Sequence, residues 1–200
     1  MYKRPFERAL QKFSGEVDWV CKSFSDANLH PTWKHADFAR EMMLIRLHDS
    51  WARFCREIIV ISAYGKAVTV GGMRLNTSLP SIKSRSHVVP VLVALNNGRF
   101  PKWFAASDCI RSANQLKIEN LATVVNALGA SNSPADQLRD IRNFYAHRGR
   151  GTAGLACNAY SFVGRRKPDI SQLNDFVAGG NTVLESWSMV LVAIATAAVQ

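Results

Sequence analysis

Apolar residues recur at helical spacing through most of the chain. Phe6, Leu10, Phe13, Val17, Val20 and Phe24 follow one another at intervals of four and three. An α-helix completes a turn every 3.6 residues, so this spacing lays one apolar stripe along one side of a helix. Pro5 suits a first helical turn and Pro31 stops the run, which predicts a helix over 5–28. Leu44, Leu47, Trp51, Phe54, Ile58 and Ile61 repeat the pattern and predict a second helix over 36–64, closed by Gly65. Both aromatic stripes are read as core.

The pattern changes over 66–102. Val68 and Val70, then Gly71-Gly72, then Met73 and Leu75 predict a short hairpin. Pro80, Pro90, Pro101 and Asn96-Asn97-Gly98 predict loop around it, with Val88 to Leu95 as an edge strand or a short helix. Helical spacing returns over 103–115 and 117–128. Ser133-Pro134-Ala135-Asp136 then predicts a helix start, with Ser133 as cap, running to about Arg148 and ending at Gly149. Residues 149–170 read as an irregular basic loop. A short helix is expected over 170–178, and Thr182-Val183-Leu184-Glu185 is a capping box opening a last helix over 183–198. The expected fold is a single all-α domain over 1–200, a four- or five-helix bundle with an inserted hairpin and loop.

Composition narrows the class. With 48% apolar and 20% charged residues in a chain of 200, the sequence is globular in type, neither disordered nor collagenous. Met1-Tyr2-Lys3-Arg4-Pro5-Phe6-Glu7 has no apolar signal-peptide core. The apolar run Val190 to Val199 is shorter than the roughly 20 residues a membrane helix needs. The expectation is a soluble, cytoplasmic protein without membrane contact. Cys21, Cys55, Cys109 and Cys157 are spaced too widely for a zinc-ligand pattern and are expected to be reduced thiols. No metal and no cofactor is predicted.

The net charge is +10, and two segments supply the excess. Residues 66–102 hold six basic and no acidic side chains, and 138–167 hold seven basic and one acidic. Brought together they would suit a polyanion, although a solvated basic surface explains the same charge. The second segment contains Arg139-Asp140-Ile141-Arg142-Asn143-Phe144-Tyr145-Ala146-His147-Arg148-Gly149-Arg150. At 100° per residue, Leu138, Ile141 and Tyr145 share one side of this helix, while Asp140, Asn143 and His147 share the other. Asn143 and His147 are i, i+4 neighbours within reach of each other. Arg142 and His147 stand about 140° apart.

Arg142-Asn143-x-x-x-His147 resembles the Arg-x(4–6)-His motif of HEPN-superfamily domains, including the polar residue that often follows the arginine. With 16 arginines, 12 asparagines and five histidines in the chain, chance supplies the bare Arg-x4-His about 0.4 times and the form with asparagine about 0.02 times. The match is six residues long, in a chain whose helical pattern agrees loosely with such a bundle. The resemblance implies a metal-independent endoribonuclease, a homodimer that pairs two motif helices into one composite site, and products ending in a 2′,3′-cyclic phosphate and a 5′-hydroxyl. It also implies a toxin or phage-defence setting, with an antitoxin protein as a further partner.

The residue types fit that chemistry. RNA carries its own nucleophile in the 2′-OH. Cleavage then needs a proton carrier near neutral pH, which histidine supplies, and a fixed cation on the phosphate, which arginine supplies. His147 is the expected acid or base, Arg142 the phosphate clamp and Asn143 an orienting group. Arg139, Arg148, Arg150, Arg165, Arg166 and Lys167 are the expected RNA-binding surround. The structural alternatives are a helix-terminal His147 stabilised by the helix dipole and an Arg142 paired with Asp136 or Asp140. His48-Asp49 sits mid-helix, where adjacent side chains diverge, so no dyad is expected. Two other functions stay open: a non-catalytic HEPN-like module that binds RNA or protein, and an unrelated helical nucleic-acid-binding protein.

Overall fold

The structure, a computed structural model, describes residues 4–27, 36–159, 169–175 and 180–200. Two long helices form its spine. Helix α1 (Pro5–Asp26) packs along α2 (Ala36–Tyr64), and α2, 29 residues long, extends about 44 Å at 1.5 Å per residue. The anticipated stripes are the contact: Phe6, Phe13, Val17, Val20 and Phe24 of α1 are buried, as are all six stripe positions of α2. Arg40 locks the start of the pair, with one guanidinium nitrogen on Asp37 at 2.7 Å and another donating to the Ala27 carbonyl at 3.1 Å.

Gly65 turns the chain out of α2 with φ of +66°. A Cβ there would stand 2.2 Å from the Asn76 carbonyl carbon, so the position admits only glycine. The hairpin follows as expected: β1 (Ala67–Val68) pairs antiparallel with β2 (Arg74–Leu75), Ala67 opposite Leu75. Beyond it the Val70 N–H donates to the Val199 carbonyl at 2.8 Å, pinning the excursion to the end of the last helix.

Of the two readings of Val88 to Leu95, the structure takes the helix: α3 (Arg85–Leu95) carries Pro90 inside it. Val88 and Leu92, one turn apart, are fully buried while Pro90 faces out. Burial of that pair outweighs the backbone hydrogen bond that proline lacks. Helices α4 (Ala106–Leu116), α5 (Leu121–Leu128), α6 (Ala135–His147), α7 (Arg150–Ala159) and α8 (Val183–Ala198) complete the described elements, with a 3-10 turn at Ile170–Asn174. The anticipated all-α class with a short hairpin is what forms. Helix α2 is its hub: α3 and α4 pack on it, α6 packs between α2 and α7, and α8 lies on α1 and α5. The α8 capping box is present in full, the Thr182 N–H donating to Glu185 at 2.7 Å and the Glu185 N–H to the Thr182 hydroxyl at 3.2 Å. Among the described residues no helix is long and apolar enough to cross a membrane.

Two local expectations need correction. Residues 150–159 form α7 where an irregular loop was expected. Their sequence has no apolar period and two glycines, but its small residues let α7 lie closely on α6, with Ala156 fully buried. At the start of α6, Pro134 takes the cap position, and Ser133 reaches only the Ala135 N–H, at 3.4 Å.

Candidate functional site

Helix α6 presents its residues as its period requires. Leu138, Ile141, Phe144 and Tyr145 are buried, Arg142 and Asn143 are half-buried, and His147 is exposed in the last turn. The helix ends one residue earlier than anticipated, because Arg148 rather than Gly149 adopts the left-handed conformation, with φ of +51°. That conformation costs a non-glycine residue roughly 1–2 kcal/mol. Here it aims the guanidinium at Glu41 of α2, where one nitrogen donates to both carboxylate oxygens at 2.7 and 2.6 Å. The guanidinium carbon also stands 5.2 Å from the centre of the Tyr145 ring. Burial raises the Tyr145 hydroxyl pKa well above its ordinary value, with the Glu41 carboxylate adding to the effect.

The arginines of the motif region divide by partner. Arg139 is fully committed: it meets Asp136 at 2.6 Å and Asp140 at 2.9 Å. Arg148 is committed to Glu41. Arg142 has no carboxylate among the described residues. One of its terminal nitrogens donates weakly to the Asn143 amide oxygen at 3.4 Å, and its Nε is buried with no hydrogen-bond partner. The carboxylates considered as partners for Arg142 are taken by Arg139 instead. No hydrogen bond joins Asn143 to His147. Arg150 is exposed at the start of α7, and Arg165, Arg166 and Lys167 lie outside the described residues.

One residue at this site was passed over in the sequence. His48 of α2 is only 4% exposed, and its ring centre stands 5.0 Å from that of Phe104. Its Nε2 is buried without a partner. Burial chiefly depresses its pKa, and the charges of Arg142 and Arg139 push it the same way against the opposing Asp49 carboxylate. The expectation of no His48–Asp49 contact is overturned: Nδ1 lies 3.2 Å from the Asp49 carboxylate, which swings back along its own helix to meet the ring. A signal did exist. Glu41, His48 and Cys55 are spaced by seven, a second line on α2 turned away from the apolar stripe, and this line faces α6 and α4.

No described residue of the second basic segment lines a groove with Arg85 of the first. Arg85 of the first segment lines a groove with Lys12, Arg53 and Arg56, on the α1 side of α2. The far end of that segment, Lys102, lies two residues before Phe104, which packs against His48. His87 is exposed, and His30 and His35 lie outside the described residues. Comparison of the chain with family models, with curated proteins and with solved structures returned no significant match.

Proposed function

We propose that the chain is a metal-independent endoribonuclease of HEPN type acting through Arg142, Asn143 and His147. One observation carries the reading. Of the arginines on this helix and at its end, Arg139 and Arg148 are bound to carboxylates and Arg142 is not, and an exposed histidine follows it five residues later. A guanidinium without a carboxylate is free to grip the oxygens of a phosphate. In the reaction the 2′-oxygen attacks the neighbouring phosphorus, and the bond to the 5′-oxygen breaks. His147 of one copy accepts the 2′-proton, and a protonated His147 of the second copy gives a proton to the departing 5′-oxygen, leaving a 2′,3′-cyclic phosphate and a 5′-hydroxyl.

Within one copy Arg142 and His147 make no contact, so a second copy is needed to complete the site. The surface beside the motif suits that assembly. Phe38 and Met42, 61% and 43% exposed, flank Glu41, the residue that anchors Arg148 next to His147. The same separation within one copy favours the second reading, a binding module that holds RNA without cutting it. The toxin or defence role, and an antitoxin partner, rest on the motif resemblance alone.

The deciding experiment incubates a labelled single-stranded RNA with the protein in EDTA. Wild type is expected to cleave, and His147→Ala to lose about 10²–10⁴-fold in rate without loss of fold. A deoxyribose at the cleaved position removes the nucleophile and abolishes the reaction. Cleavage of the deoxy substrate, or full activity in His147→Ala, rejects the mechanism. RNA binding without cleavage by a folded dimer selects the binding module.

A further inference from the structure

On the side of α2 away from α6, a groove opens between α1, α2 and the start of α3 and encloses about 340 Å3. That volume is in the range of small-molecule pockets. Its floor is apolar: the rings of Phe13 and Phe54 meet there with centres 5.1 Å apart, and Val89 of α3 closes one wall. Its rim is cationic and is assembled from three helices, with Lys12 from α1, Arg53 and Arg56 from α2 and Arg85 from α3.

Two carboxylates share the rim, and one of them is already spent. Glu16 is held by Arg46 at 2.8 and 3.1 Å, a contact that keeps its carboxyl pKa below the ordinary value. Lys12 and Arg53 also act on Glu16, and with Glu57 the rim holds two carboxylates against four cations. None of the four is in an ion pair among the described residues, and Arg53 donates only to uncharged oxygens, the Asp49 carbonyl at 3.3 Å and the Ser50 hydroxyl at 3.2 Å. The excess positive charge on this concave apolar surface is self-repelling. An anion in the groove would relieve that repulsion, and the phenylalanine floor would hold an apolar body attached to it.

We propose that this groove is a binding site for a small amphipathic anion, an aromatic or aliphatic group carrying one phosphate or carboxylate. The site is separate from the α6 motif and does not rest on the ribonuclease reading. His48 and Glu57, nine residues apart on α2, point to opposite sides of that helix.

The test uses 1-anilinonaphthalene-8-sulfonate as a fluorescent probe and the whole chain as protein. Wild type is expected to bind one equivalent of the probe. Either AMP or decanoate displaces it, which separates an aromatic phosphate from an aliphatic carboxylate, while adenosine and decanol do not. Arg53→Ala with Arg85→Ala, both at exposed positions, weakens probe binding about tenfold or more. Val89→Trp fills the groove from its wall and removes binding. His147→Ala binds as wild type does, whatever its effect on RNA cleavage. The proposal is overturned if wild type binds no probe, if the double variant binds unchanged, or if adenosine and decanol compete as well as the anions. Displacement by an RNA oligonucleotide but by neither AMP nor decanoate also overturns it, because the groove would then belong to a polymer.

Discussion

Arg139 and Arg142 stand three residues apart on α6, and the structure predicts opposite consequences for losing them. Methionine is the informative replacement at both, because it keeps an unbranched stem and removes only the guanidinium. Arg139→Met strands two carboxylates. Asp136 is 70% exposed, so water compensates it almost completely, but Asp140 is 18% exposed and loses a fork contact that two guanidinium nitrogens make at 2.9 Å. Exposed ion pairs are worth about 0–1 kcal/mol each and a partly buried one somewhat more, so the expected loss is about 1 kcal/mol. In a chain of 200 residues that lowers Tm by roughly 2–4 °C.

Arg142→Met strands nothing. It removes a buried Nε that has no acceptor, a group whose desolvation costs roughly 1–3 kcal/mol, and it lifts a repulsion from His48. Its Tm is therefore expected to equal or exceed that of wild type. If Arg142 is the phosphate clamp, its loss should nonetheless lower the cleavage rate about 10²–10³-fold, the usual effect of removing one donor to a developing oxyanion, while Arg139→Met stays within a few-fold of wild type. Thermal melting and single-turnover cleavage of the same preparations read the two axes. Equal destabilisation by both substitutions, or equal loss of activity, refutes the division of the arginines into a structural and a functional one.

Other outcomes follow from single contacts. His48 has a depressed pKa in the fold, so as pH falls through about 6.5 the unfolded chain takes up the proton first and stability drops; His48→Gln should flatten the fall in Tm between pH 7 and pH 5, and an unchanged slope would count against burial of a neutral ring. The groups facing His48 are Asp49, Arg142 and Arg139, and Arg142→Met, which brings the folded-state pKa of His48 closer to its unfolded value, should make that fall smaller. Thr182→Ala removes the hydroxyl half of the α8 capping box and should cost about 1 kcal/mol in urea unfolding, with Glu185→Ala adding less than its own separate effect because the two bonds share one turn. Gly65→Ala forces a Cβ into the Asn76 carbonyl at positive φ and should cost more than about 2 kcal/mol, measured by the urea midpoint.

Most of the fold was legible because burial has a period. The stripes of α1 and α2 predicted both helices to within a few residues, and the α8 capping box was readable because its two residue types sit at fixed offsets. The errors fall where local signals yield to tertiary contact. Pro90 argues against a helix, yet Val88 and Leu92 bury together one turn apart. Gly149 offers the cheaper left-handed residue, yet Arg148 takes the position because Glu41, 107 residues away, is there to receive it. Helix α7 has no stripe to read, since small residues meeting α6 leave no apolar period. The motif on α6 was legible as a string of residue types, but the partners that divide its arginines were not, since nothing in the spacing tells Arg139 from Arg142.

His48 shows why a site can hide inside a helix that was read correctly. A single apolar stripe explains α2 as a surface helix, but α2 is packed on several sides, and its second line of residues meets α6. There the neighbouring Asp49 carboxylate lies 3.2 Å from His48 Nδ1; a proton on Nδ1 would leave Nε2 as an acceptor. Arg142 Nε–H is a donor with the same lack of a partner. The two unpaired nitrogens belong to neighbouring helices and are complementary in kind. Burial above all, and the charge on Arg142 after it, disfavour a proton on His48, and with it a competing cation at the back of Arg142. The α2–α6 contact thus sacrifices local hydrogen bonding, and the buried stripe of α2 supplies the stability that lets it do so.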